Sequence, residues 1–129
     1  MSGSFLLDTN IVIGLFAQEE SIQARLSESD RVFLPSIVLG ELYFGAYKSA
    51  HSDENIRRID ELAAASSVLA CDAITAIYYG RIKKNLWDKG KPLPENDIWI
   101  AAIAQQQGLT VVSRDQHFKE IENLPVEVW

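Results

Sequence analysis

The chain has 129 residues, 47% of them apolar and 23% charged, and a net charge of −6. One domain over residues 1–129 is expected, long enough to bury about two-thirds of its unfolded surface, which excludes a disordered or fibrous protein. The single cysteine, Cys71, excludes an internal disulfide framework and a thiolate zinc site, and the acidic balance, taken alone, argues against a nucleic-acid partner.

Phe5-Leu6-Leu7 reads as a first strand, followed by a helix that Asn10 caps. Val32-Phe33-Leu34 is a second strand, stopped by Pro35. Ser36 is expected to cap a helix running to about Ala50, and Glu54 to Ala65 forms another. Val68-Leu69-Ala70 is a third strand, with Cys71 at its end as a small buried apolar side chain. Asp72 caps a long helix in which Ile74, Tyr78, Ile82 and Leu86 recur every four residues, an apolar stripe at helical spacing. Gly90, Pro92 and Pro94 interrupt the chain before a helix from about Glu95 to Gln107, ended by Gly108. Leu109 to Val112 is a fourth strand and Val126 to Trp129 a short fifth.

Short strands alternating with helices imply crossover connections, so an α/β fold is expected: three layers, with a parallel sheet flanked by helices on both faces. Met1 to Asp8 has neither a basic stretch nor an apolar run of signal-peptide length, and the longest apolar run, Ile98 to Ala104, is far short of a membrane span. A cytoplasmic protein without a membrane partner is therefore expected.

In such a sheet a ligand binds beyond the carboxyl ends of the strands, where the strand order switches. Asp8 directly follows the first strand, and Asp115 lies just past the fourth. Asp97 stands in the first turn of its helix, and Glu41 in the second turn of the helix after the second strand. Each admits a structural reading as a cap, a turn former or a favourable charge at a helix start. Glu41 is flanked at helical spacing by Ile37, Val38, Phe44 and Gly45, so it is expected to emerge from a core-facing stripe. Four carboxylates on one sheet edge would repel by about 4 kcal/mol per pair at 4 Å and an effective dielectric near 20, unless some are protonated or a cation binds. His51 and His117 have no partner at ligand spacing, and His117 reads as packing or loop-fixing. Hard oxygen donors alone point to Mg²⁺ or Mn²⁺, a setting suited to phosphodiester hydrolysis.

Arg81, Lys83, Lys84, Lys89 and Lys91 crowd into a short segment with one acid, Asp88. They form either a solvated helix face and loop or a local patch that steers phosphate. Trp87, Trp99 and Trp129 read as core or dimer surface, with base stacking open for Trp99 because it lies close to Asp97.

Four segments then carry a resemblance: Leu6-Leu7-Asp8-Thr9-Asn10, Pro35-Ser36-Ile37-Val38-Leu39-Gly40-Glu41-Leu42, Asn96-Asp97-Ile98-Trp99-Ile100-Ala101-Ala102 and Val111-Val112-Ser113-Arg114-Asp115-Gln116-His117-Phe118. In order and spacing the chain resembles the PIN-domain nucleases, most closely the toxin ribonucleases of VapBC toxin–antitoxin pairs, over essentially its whole length. The resemblance implies a five-stranded parallel sheet, a homodimer, and a Mg²⁺- or Mn²⁺-dependent endoribonuclease restrained by a cognate antitoxin. It implies that Asp8, Asp97 and Asp115 bind metal and that Glu41 completes the catalytic set. It also implies that the hydroxyls of Thr9 and Ser113, with Asn10 beside them, orient those carboxylates. From the basic cluster itself, Arg81, Lys83 and Lys84 are expected to guide RNA. Ser113 replaces the family's usual Thr, and Gly40 its usual Ala. Two other readings compete. One is a phosphotransfer domain of the haloacid dehalogenase or receiver type using Asp8, although position 10 is Asn where the former has a second acid. The other is a non-catalytic PIN-fold module for binding or dimerisation.

Overall fold

Five short strands pair in parallel in the order β3-β2-β1-β4-β5: β1 (Ser4–Leu7), β2 (Arg31–Pro35), β3 (Ser67–Leu69), β4 (Thr110–Val112) and β5 (Val126–Glu127). The structure is a computed structural model describing residues 3–129; Met1 and Ser2, within the expected domain, lie outside the described residues. Leu6 sits beside Phe33 of β2 on one side and Val111 of β4 on the other, making β1 the central strand. Side chains of successive strand residues point to opposite faces, yet Phe5, Leu6 and Leu7 are all buried, as are Val111 and Val112. Both faces are therefore covered, as a parallel sheet requires. The chain runs outward from β1 through β2 to β3, then returns to place β4 on β1's other side. The order switches between β1 and β4, and the crevice beyond their carboxyl ends is where the fold favours a ligand.

Six helices make the crossovers: α1 (Thr9–Phe16), α2 (Glu20–Glu28), α3 (Ser36–Tyr47), α4 (Ser52–Ala65), α5 (Ala73–Lys89) and α6 (Glu95–Gln107). Asp72 caps α5 as expected, and does so through a capping box: it accepts from the Thr75 backbone, and the Thr75 hydroxyl accepts from the Asp72 N–H. Gly90 and Gly108 close α5 and α6 in the left-handed conformation, at φ 65° and 67°. Apart from half-buried Trp99, the Ile98–Ala104 stretch of α6 is buried, as its apolar circumference requires.

Several local expectations are corrected. The cap of α1 is Asp8, which stays extended and accepts the Thr9 N–H at 2.8 Å; Asn10 lies inside the first turn and bonds elsewhere. Pro35, with no side-chain hydrogen bond, precedes α3, so Ser36 is its first residue rather than its cap, and the helix stops at Tyr47. A second helix, α2, follows α1 after a turn in which Gln18 takes a left-handed φ of 60°. Gly14 permits that tight return, because a Cβ there would meet Ile22 Cδ1 at 2.4 Å. The α5 stripe is buried only in its later half: Ile82 and Leu86 are core residues, whereas Ile74 is 52% exposed. Cys71 is exposed rather than buried, because the chain leaves the sheet at Leu69.

Candidate active site

The β1 and β4 exits are tied together by one hydroxyl. Ser113 is fully buried and its Oγ donates to Asp8 Oδ2 at 2.7 Å. The same oxygen accepts from Asn10 Nδ2 at 3.2 Å and from the Asp115 backbone N–H at 2.9 Å, which fills the capacity of a hydroxyl. Asn10 completes the link, its Oδ1 accepting the Arg114 N–H at 3.1 Å and its Nδ2 lying 3.4 Å from Asp8 Oδ2. Arg114 is itself held, forking onto both oxygens of Glu19 at 2.6 and 3.2 Å and donating to the Trp129 carbonyl at 3.2 Å. Asp8 and Asp115 thus have their backbones and one another's spacing set by buried polar contacts. The Thr9 hydroxyl makes no hydrogen bond to Asp8, which is held by the Thr9 backbone N–H; the hydroxyl's influence falls on Glu41, whose carboxyl it lowers against the effect of burial.

Asp97 enters from the first turn of α6, where the helix start favours a negative charge. Its Oδ2 lies 3.3 Å from His117 Nδ1, and that same nitrogen lies 3.0 Å from Asp115 Oδ1. The expectation that His117 has no ligating partner is overturned. A single 3₁₀ turn over Gln116–Glu120 starts on Asp115, whose carboxylate accepts the His117 N–H at 2.9 Å, and this folds the imidazole back over the acids. The legible signal was the Asp115-x-His117 spacing at the start of a turn.

The acids share one electrostatic field. Burial pushes the Asp8 carboxyl above its usual range, against the Ser113 and Thr9 hydrogen bonds, and the Asp115 charge adds to the rise. Burial likewise raises Asp97; His117 opposes this, while the charges of Asp8 and Asp115 reinforce it. Glu41 is raised by burial first and then by the Asp8 charge. It is not on a core-facing stripe, however. Of its helical neighbours only Val38 is buried, Ile37 and Gly45 are half-buried, and Phe44 is 66% exposed. Glu41 stands instead on the rim of an apolar cleft lined by Ile13, Phe16, Leu42, Ala46 and Arg58.

The basic residues do not form one patch. Lys83 contacts Glu95 at 2.5 Å and the Tyr79 hydroxyl at 3.1 Å, and Tyr79 also bonds Glu95 and stacks on Trp99 at 4.0 Å between ring centroids. Lys84 pairs with Asp88 along α5 at 2.5 Å. Arg81 shares a groove with Gln105, ten residues beyond Glu95 on α6 and therefore about 15 Å farther along the axis. Lys83 and Lys91 share a pocket with Glu95 and Ile98 at the helix start that carries Asp97.

Fold and site define an α/β domain with an acidic centre at the topological switch. The chain belongs to the PIN-domain family, whose sequence profile matches residues 5–124. It is 35% identical over 128 residues to a ribonuclease VapC2 of Haemophilus influenzae, with 97% of each chain covered. It is 34% identical, again over 97% of each chain, to a tRNA(fMet)-specific endonuclease VapC of Salmonella typhimurium. The crystal structure of DNA-bound VapBC from Salmonella typhimurium matches with a TM-score of 0.91 at 32% identity over 98% of each chain. The competing phosphotransfer reading finds no footing: the strand order differs from the 2-1-3-4-5 of receiver folds. Asn10, standing where a dehalogenase-type site needs an acid, is bonded to Ser113 and Arg114.

Proposed function

We propose that this chain is a divalent-metal-dependent endoribonuclease, the toxin of a toxin–antitoxin pair, working through Asp8, Glu41, Asp97 and Asp115. The observation that carries the proposal is the convergence of Asp97, Asp115 and His117, whose ligating atoms all lie within 4.8 Å of one another, beside buried Asp8 at the β1/β4 switch. Carboxylate oxygens spaced this closely fit a hard divalent cation, Mg²⁺ or Mn²⁺, and the carboxyls of Asp8 and Asp97 are raised first by burial and further by the neighbouring acid charges.

When bound, such an ion supplies Lewis acidity, neutralising charge on the phosphate and lowering the pKa of water. The protein's part is positional. Asp97 and Asp115 would hold the cation from two different elements, with Asp8, oriented by Ser113 and Asn10, as the third carboxylate. Glu41, on the rim, orients the attacking water opposite the leaving 3′-oxygen. Lys83 is placed to meet a backbone phosphate once Glu95 yields it. Arg81 and Lys84, on other faces of α5, contribute at most at longer range.

The partners follow the same reading. The apolar cleft beside Glu41 suits an apolar segment of the antitoxin. Ile77, Gly80, Lys84 and Trp87 share one face of α5, with Ile77 50% and Trp87 78% exposed, and this face suits a homodimer. The test is cleavage of single-stranded RNA by purified protein in Mg²⁺ or Mn²⁺. Asp97→Asn is expected to lower the rate at least a hundredfold; undiminished, EDTA-sensitive cleavage by that variant would remove the acid from the mechanism. A folded wild-type chain that binds antitoxin but cuts no RNA would favour the non-catalytic module.

A further inference from the structure

The acids alone do not account for the donor set. His117 Nδ1 sits between carboxylates from two elements, 3.0 Å from Asp115 Oδ1 and 3.3 Å from Asp97 Oδ2. Ligand bonds of about 2.1 Å meeting at right angles put neighbouring donor atoms about 3.0 Å apart. Both spacings therefore match edges of an octahedral coordination shell, and the third pair, within 4.8 Å, accommodates either an edge or a wider pairing. The imidazole is held in register by its own backbone, since the His117 N–H is bound to Asp115 Oδ1 at 2.9 Å, and it is anchored by Phe118, the next residue, which is fully buried. Its ring side is 49% exposed, so ligation requires no opening of the core.

We propose that His117 Nδ1 ligates the metal together with Asp97 and Asp115, giving this site a mixed nitrogen–oxygen donor set that selects Mn²⁺ and later first-row ions over Mg²⁺. This rests on the metal-dependent reading above and deepens it. Carboxylate and water suit Mg²⁺, which keeps an oxygen shell, whereas imidazole raises affinity along the series from Mn²⁺ upward. In the ligating tautomer the ring proton sits on Nε2, away from the acids.

The experiment uses the full chain and two ions. Dissociation constants for Mn²⁺ and Mg²⁺ are measured by titration calorimetry on wild type, His117→Ala and Asp97→Asn, and Mn²⁺-loaded samples are examined by pulsed electron paramagnetic resonance. Wild type is expected to show nitrogen hyperfine coupling to Mn²⁺ and to prefer Mn²⁺. His117→Ala is expected to lose that coupling and to weaken Mn²⁺ about tenfold or more while Mg²⁺ changes little. Equal melting temperatures in EDTA establish that the variant folds, and His117→Asn serves in its place if they differ. If Asp97→Asn abolishes binding of both ions but His117→Ala alters neither the coupling nor the Mn²⁺ to Mg²⁺ ratio, the histidine assignment is overturned and the carboxylate site survives. If Asp97→Asn leaves both affinities intact, the metal-dependent reading falls, and this proposal with it.

Discussion

Replacing Asp115 by Asn is expected to make the metal-free protein more stable while removing its response to metal. The ligating oxygens of Asp97 and Asp115 lie within 4.8 Å, and two full charges at that distance repel by about 3.5 kcal/mol at an effective dielectric near 20. The Asp115 side chain keeps 32% of its exposure, so solvent and salt screening reduce this to about 1–2 kcal/mol. Asn retains an oxygen to accept the His117 N–H, so the 3₁₀ turn keeps its cap. For a chain of this size about 1–2 kcal/mol corresponds to roughly 3–8 °C in melting temperature. The assay is thermal unfolding at pH 8 in EDTA and again in millimolar Mg²⁺ or Mn²⁺. Wild type is expected to gain stability with the ion through mass action, and the variant to start higher and gain little. A variant that melts below wild type in EDTA and still rises with metal would refute the repulsion argument.

The raised carboxyls of Asp8, Asp97 and Glu41 mean that the folded state binds protons more readily than the unfolded chain, so metal-free stability rises as pH falls from neutrality through their folded pKa values. That gain is complete near the ordinary carboxylate range, where the lowered acids Asp72, Glu19 and Glu95 begin to lose their contribution; urea midpoints from pH 4 to 8 should peak on the acid side of neutrality, and saturating Mg²⁺ should flatten the slope. Ser113→Ala removes the buried donor to Asp8 and leaves the half-buried Asn10 amide and Asp115 N–H without that acceptor, which should destabilise by about 1–3 kcal/mol in urea unfolding and lower RNA cleavage, whereas Ser113→Thr should restore both. Trp87→Glu places a charge on the exposed α5 face and should give a monomer by light scattering with its melting temperature nearly unchanged.

The sheet was legible because buried parallel strands are continuous apolar runs, as in Phe5-Leu6-Leu7 and Val111-Val112, and because Asp72 and Gly108 mark helix ends by local chemistry. The α1–α2 break was hidden because its left-handed residue is Gln18 rather than Gly or Asn. The apolar neighbours of Glu41 misled because periodicity reports an apolar face without saying what covers it, and here the face borders an open cleft. Strand exits place Asp8 and Asp115 and a helix start places Asp97, and the resemblance implies that Ser113 and Asn10 orient the acids without saying which atoms meet. Ser113 reaches Asp8 across 105 positions of sequence, and the basic run dissolves into the separate pairs Lys83–Glu95 and Lys84–Asp88, contacts that depend on side-chain direction. His117 reads as packing or loop-fixing in the sequence for the same reason: its link to Asp97 exists only once β4 and α6 are in place.

The most direct test of hydrolysis at this acidic centre is the chemistry of the ends left on cut RNA. Water attack guided by Glu41 should yield 5′-phosphate and 3′-hydroxyl termini, only when a divalent ion is present. Fragments ending in 2′,3′-cyclic phosphate, or cleavage that continues in EDTA, would mean that the RNA's own 2′-hydroxyl is the nucleophile and that the carboxylates serve some other purpose.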